Sequence, residues 1–95
     1  MDVAVTAPQR PQTREGLTVI ELDGEAVVYD ERTGNLHHLN QTAALVFSLC
    51  DGTGTARELS ADIAGAYDLG VDETERQVRS LLRTLKREGL VVRHA

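Results

Sequence analysis

The stretch "GNLHHLNQTAALVFSLC", Gly34 to Cys50, groups two adjacent histidines, an asparagine, a serine and the single cysteine of this 95-residue chain, side chains that could do chemistry. His37 and His38 are adjacent, Asn40 follows, and Ser48 and Cys50 end an apolar run. Imidazoles ligate metals and move protons, and a hydroxyl or thiol attacks a carbonyl when a base activates it. Each of these readings meets an obstacle. Neighbours on a strand point to opposite faces, so His37 and His38 cannot easily grip one ion. The third histidine, His94, is next to the end of the sequence. Cys50 is the single cysteine, which leaves no disulfide framework and no thiolate set for zinc. In so apolar a segment it reads as a small buried hydrophobe, and Ser48 has no base beside it. Asn40 reads as a helix cap. "DGTGT" lacks the lysine and the preceding strand of a phosphate loop. The expectation is therefore no catalytic residue, no metal and no cofactor: the chain is not an enzyme.

Size and charge agree with a binding role. A single small domain has a thin core and a net stability of about 0.05–0.15 kcal/mol per residue, and it rarely encloses a deep substrate cavity. No run approaches the ~18 apolar residues of a membrane span. The start of the chain has no basic-then-apolar secretory pattern, so a cytoplasmic location is expected. Charge is uneven. Residues 1–73 hold 13 acids and 4 bases, net −9, whereas residues 74–95 hold 2 acids and 6 bases, net +4. Such a chain is a poor general nucleic-acid binder, but its basic end suits an acidic peptide.

The elements that position these residues can be read from turn and cap chemistry. Residues 1–15 contain both prolines and few large apolar side chains, and read as a mobile tail ahead of a domain over 16–95. "LTVIEL" and "EAVVYD" flank Asp23-Gly24, a strong two-residue hairpin turn. "ERTG" turns the chain again into "NLHHL". Two successive hairpins make a three-stranded antiparallel meander. Three helices follow. Asn40 caps the first, Gln41 to about Cys50, which is apolar nearly all round. Thr55-Ala56-Arg57-Glu58 is a capping box for the second, which ends near Tyr67. Asp72 is expected to cap the third, which runs to Glu88, with Gly89 in the C-terminal glycine position. "LVVR" forms a short last strand. Apolar stripes fall at Leu59, Ile63, Ala66 and Tyr67, and at Val78, Leu81, Leu82 and Leu85.

The third helix has two further flanks. Stepping about 100° per residue from Val78 puts Arg76, Arg79, Arg83, Lys86 and Arg87 on one side, and Gln77, Ser80 and Thr84 on the other. The basic side serves either as a solvated face that complements the helix dipole or as a rail for an anionic partner. "NLHHL" carries none of the lysine, proline or bulge that usually guards a sheet edge. As the outer strand of the meander, it would offer an extended peptide a ladder of backbone groups beside the third helix.

The run "VVYDERTGNLHHLNQTAALVFSLCDGTGTARELSADIAGAY", followed by "VDETERQVRSLLRTLKREGLV", resembles the PqqD-like family of peptide chaperones. These are recognition elements for ribosomally made, post-translationally modified peptides. The resemblance rests on the strand ending Leu39-Asn40, the helix start Thr42 to Ala44, the "DGTGTARELS" step and the closing "EGL". It covers about residues 17–92. It implies an α+β, winged-helix-like fold in which a three-stranded antiparallel sheet packs on three helices. It also implies that the leader segment of a precursor peptide binds as an added strand and is presented to a modifying enzyme of radical-SAM, cyclase or protease type. Carried over by position, the edge is Asn35, Leu36, His37, His38 and Leu39, and the groove wall is Val78, Arg79, Leu82, Arg83 and Lys86. The family often has aromatic residues where this chain has His37 and His38, a departure that bears on which leader is bound.

Two other readings stay open. One is a DNA-binding winged helix entering the major groove with Arg76, Arg79 and Arg83. Against it stand the acidic net charge and the six residues after Gly89, too few for a two-stranded wing. The other is a dimerisation or subunit module whose open strand pairs with its own copy. Neither nucleic acid nor membrane is an expected partner, and both monomer and homodimer are compatible with the sequence. On the leading reading, exposed ion pairs contribute only about 0–1 kcal/mol each, so backbone bonds and apolar contacts must carry the affinity. A proline at His37 is expected to strip the edge of a donor at modest cost to the fold.

Overall fold

The computed structural model describes residues 10–94. Five strands and three helices follow one another: β1 (Arg10–Thr13), β2 (Leu17–Leu22), β3 (Glu25–Asp30), β4 (Leu36–Leu39), α1 (Gln41–Ser48), α2 (Ala56–Tyr67), α3 (Val71–Arg87) and β5 (Val91–His94). β2, β3 and β4 form the expected antiparallel meander, in that order. Asp23 and Gly24 both adopt positive φ, 54° and 82°, the backbone of a tight hairpin turn. The register pairs Val19 with Val28 and Val28 with His37. The face carrying Ala26, Val28 and Leu39 is buried and packs on the helices.

The helix signals act largely as their chemistry dictates. The Asn40 side chain accepts the Ala43 N–H, which opens α1. Thr55 and Glu58 exchange both bonds of the capping box. Gly89, at φ 79°, takes the left-handed position after α3, and the Leu90 N–H closes on the Leu85 carbonyl. Other details differ. α1 stops at Ser48, short of Cys50, because the Cys50 N–H bonds to the Phe47 carbonyl in a tighter turn. α3 starts one residue before the expected cap. Gly70 is the N-cap, and Asp72 lies in the first turn, where its charge complements the helix dipole and bonds to Arg57. On α2 the buried stripe is Ala56, Leu59, Ser60, Ile63 and Ala64, which leaves Ala66 and Tyr67 exposed.

The expected mobile tail over 1–15 needs correcting for its second half; residues 1–9 lie outside the described residues. β1 pairs antiparallel with β5 in a two-stranded sheet. Its other side is also held: the Thr13 N–H donates to the Cys50 carbonyl, and the Gly52 N–H donates to the Pro11 carbonyl. Backbone pairing on both sides, with Pro11 buried, orders a stretch whose composition holds few apolar side chains. The same finding overturns one argument about a wing. The chain after Gly89 does enter a two-stranded sheet, with β1 as its partner.

The two sheets meet at one ion pair. Arg14, just after β1, reaches the Asp30 carboxylate at the end of β3, 2.5 Å away. Its Nε donates to the Gly89 carbonyl behind α3. The Asp30 residue is buried, at 4% exposure, and also accepts the Arg32 N–H. Bonding to Arg14 comes first among the causes that hold the Asp30 carboxyl below its ordinary range. Because the folded pKa is depressed, this pair contributes stability at neutral pH that is lost as pH falls through the folded value, below about pH 4. Between about pH 4 and pH 2, chemical denaturation should show a smaller loss of stability in Asp30→Asn than in the wild type.

Candidate functional site

The two histidines, Ser48 and Cys50 are each engaged with a different partner. His37 lies opposite buried Val28 and turns to the helix side of the sheet, whereas His38 lies opposite Val27 and turns outward. Each ring meets a different carboxylate. His37 Nδ1 is 3.3 Å from Glu88 Oε1, and His38 Nε2 is 2.6 Å from Glu25 Oε1. Among the described residues, no group of three or more His, Cys, Asp or Glu side chains could hold a metal. Ser48 donates its hydroxyl to the Leu45 carbonyl of its own helix. Cys50 is 2% exposed, donates to the Val46 carbonyl, and has its thiol pushed up to about 12, chiefly by burial. A thiol so protonated is a poor nucleophile at neutral pH. The native protein should therefore resist a thiol-specific aromatic disulfide reagent at pH 8 and react fully once unfolded in urea, as read by absorbance.

What the structure does present is an open strand. Among the described residues β4 is paired only to β3, so its other edge is free. The phase of the ladder decides which groups that edge offers. The Asp30 N–H donates to the Asn35 carbonyl, 2.9 Å away. Hydrogen-bonded and non-bonded pairs alternate in an antiparallel ladder. Val28–His37 and Ala26–Leu39 are then the bonded pairs, and the N–H and C=O of Leu36 and His38 point to the free edge. Of the predicted edge residues, Leu36 and His38 offer backbone outward, while Asn35, His37 and Leu39 turn theirs to β3. Their side chains divide the other way. His37 and Leu39 face the helices, whereas Leu36 and His38 are exposed on the outer face.

The predicted groove wall is divided. Val78 and Leu82 are core residues, 3% and 5% exposed, and support α3 from beneath. Arg79, Arg83 and Lys86 line a cavity of about 380 Å³ together with Pro11, Thr55 and Ala56. Glu88, which touches β4 through His37, lies about 160° round the helix from Lys86. The flank of α3 on Glu88's side is the other one, with Gln77, Leu81 and Thr84. Leu81 and Gln77 continue along it into a second cavity, of about 640 Å³, shared with Ala44 and Leu45 of α1 and with Gly24 of the hairpin turn. A helix wheel separates the two flanks of α3 but cannot say which one β4 meets. No signal in the sequence singles out Leu81, Thr84 and Glu88 on this flank.

The DNA reading loses two of its three arginines on local grounds. Arg76 is paired with Glu73, and Arg79 with Glu75 at 2.6 Å. Glu75 also takes Arg57, and these bonds hold its carboxyl below the ordinary range.

This fold and its open strand can be placed beside known proteins. Residues 25–91 match the family model described as coenzyme PQQ synthesis protein D (PqqD). The chain belongs to the PqqD family. No curated protein matches it. Two solved structures are similar in fold. The first is TbiB1 in complex with the TbiA(beta) leader peptide, with a TM-score of 0.76 and 23% identity over 88% of this chain and 98% of that one. The second is a lasso peptide synthetase B1 complexed with the leader peptide, with a TM-score of 0.74 and 24% identity over 87% and 98%.

The ladder phase also corrects the expectation for proline. His37→Pro removes a donor inside the β3–β4 ladder and should cost stability, whereas His38→Pro removes an outward donor at an edge. Urea denaturation should show His37→Pro less stable than His38→Pro by about 1–3 kcal/mol.

Proposed function

We propose that this chain binds the leader segment of a ribosomally made precursor peptide as a strand added to β4, and holds it for a modifying enzyme. The observation that carries this reading is the outward N–H and C=O of Leu36 and His38 along an edge of β4 that has no strand partner among the described residues. Both structures of similar fold have a leader peptide bound, which supports the same use of this domain. The role is one of binding. His37 and Leu39 present their side chains toward α3, so leader residues that point the same way would meet Leu81, Thr84 and the His37–Glu88 pair. Asn35 shapes the turn into the strand, and Val78 and Leu82 keep α3 in place behind it.

The energetics suit a transient complex. Ladder bonds at Leu36 and His38 contribute about 0.5–1.5 kcal/mol each, so apolar burial beside Leu81 must supply a comparable share. Ordering a flexible leader opposes both. A dissociation constant from about micromolar to high nanomolar is expected, near −8 to −9 kcal/mol.

Titration of the ¹⁵N-labelled protein with synthetic leader should move amides at residues 36–39 and along the Gln77, Leu81, Thr84 and Glu88 flank. His38→Pro should weaken binding about tenfold, the worth of one lost ladder bond. Unaltered affinity in a folded His38→Pro variant, or shifts confined to the β2 edge, would place the peptide elsewhere.

A further inference from the structure

The flank of α3 away from Glu88 lies outside the groove proposed above for the leader, and it too is concave. Arg79, Arg83 and Lys86 stand around a concavity of about 380 Å³ whose apolar lining includes Pro11, Ala56 and Leu82. Arg79 is partly neutralised by Glu75. Among the described residues, Arg83 and Lys86 have no carboxylate within ion-pair distance. They are exposed, while the residues beneath them are buried.

We propose that this concavity docks an acidic segment of a partner protein other than the leader. Charge complementarity names the chemistry: two uncompensated cations and a third, half-neutralised one call for carboxylates. The apolar lining calls for a side chain such as leucine between them. The leader is excluded by position, because a strand on β4 lies on Glu88's side, about 160° round α3 from Lys86. A nucleic acid is disfavoured by the surroundings. A duplex needs several phosphate contacts in a row, and residues 1–73 carry a net −9. With leader on one flank and partner on the other, α3 becomes the bridge between substrate and enzyme. The bridging role and the exclusion of the leader both rest on the leader-binding function proposed above; the docking of an acidic segment does not.

The test uses the ¹⁵N-labelled full chain and four probes: the peptide acetyl-Glu-Leu-Asp-Glu-Leu-Asp-amide, sodium sulfate at matched ionic strength, a 12-base-pair duplex and the synthetic leader. The acidic peptide should shift the amides of Ala56 and of Arg79 to Lys86 saturably, and leave Leu36 to Leu39 unmoved. Replacing both Arg83→Gln and Lys86→Gln should weaken that binding about tenfold, as the loss of two exposed pairs allows, with leader affinity unchanged. The charge-reversed pair Arg83→Glu and Lys86→Glu should abolish it. The glutamine pair decides the matter if reversal disturbs the helix end. The proposal fails if sulfate reproduces the shifts, if the duplex binds more tightly than the peptide, or if the peptide does not saturate there. It fails equally if the glutamine pair loses leader affinity, since the leader would then own this flank. Loss of leader shifts at β4 with the acidic-peptide shifts intact would sink the leader reading and leave this site standing.

Discussion

Three parts of the chain converge on Asp30. Its carboxylate takes Arg14, and so ties the segment after β1 to the end of β3. The same arginine reaches the Gly89 carbonyl at the end of α3. The Asp30 backbone N–H, meanwhile, bonds to Asn35 and fixes the phase of the β3–β4 ladder. A slip of one residue in that ladder would exchange every inward side chain for an outward one. It would also turn the open backbone groups of Leu36 and His38 inward. One buried residue thus sets which atoms the free edge shows and how α3 stands beside it. Breaking a buried pair of this kind is costly because the surviving charge is left without a partner.

Much of this architecture is legible in the sequence because short-range chemistry dictates it. Asp23-Gly24 turns where two positive φ values are required, and Thr55 with Glu58 starts a helix where two bonds can be exchanged. The apolar stripe of α3 has the period of its own helix. β1 was not legible, since Arg-Pro-Gln-Thr carries no strand pattern. It becomes a strand because β5 and the segment around Cys50 offer backbone partners from far along the chain. Gly70 displaced Asp72 as the cap because a helix can begin without a side-chain bond when its first turn holds two acids.

The site follows the same division. An unguarded edge is a local property and is visible in "NLHHL". The facing wall is not local. Periodicity gives α3 two flanks, and the meeting of His37 with Glu88, 51 residues apart, indicates which one borders β4. The basic residues drew attention because charge stands out in a sequence, but their flank is the one turned from the strand. The residues on the bordering flank are a leucine, a threonine and a glutamate, types too ordinary to stand out.

β2 is also an outer strand, and Ile20 and Leu22 on it are 55% and 64% exposed. Among the described residues the sheet therefore ends in two different unpaired margins. If β2 of one molecule meets β4 of the next, the contact joins unlike surfaces, and such a head-to-tail arrangement adds copies without closing. Filling β4 removes one of the two ends that such growth requires. A peptide strand bound there would then act as a chain terminator, and solutions of the domain with that edge filled would resist the ribbon-like assembly open to the empty form.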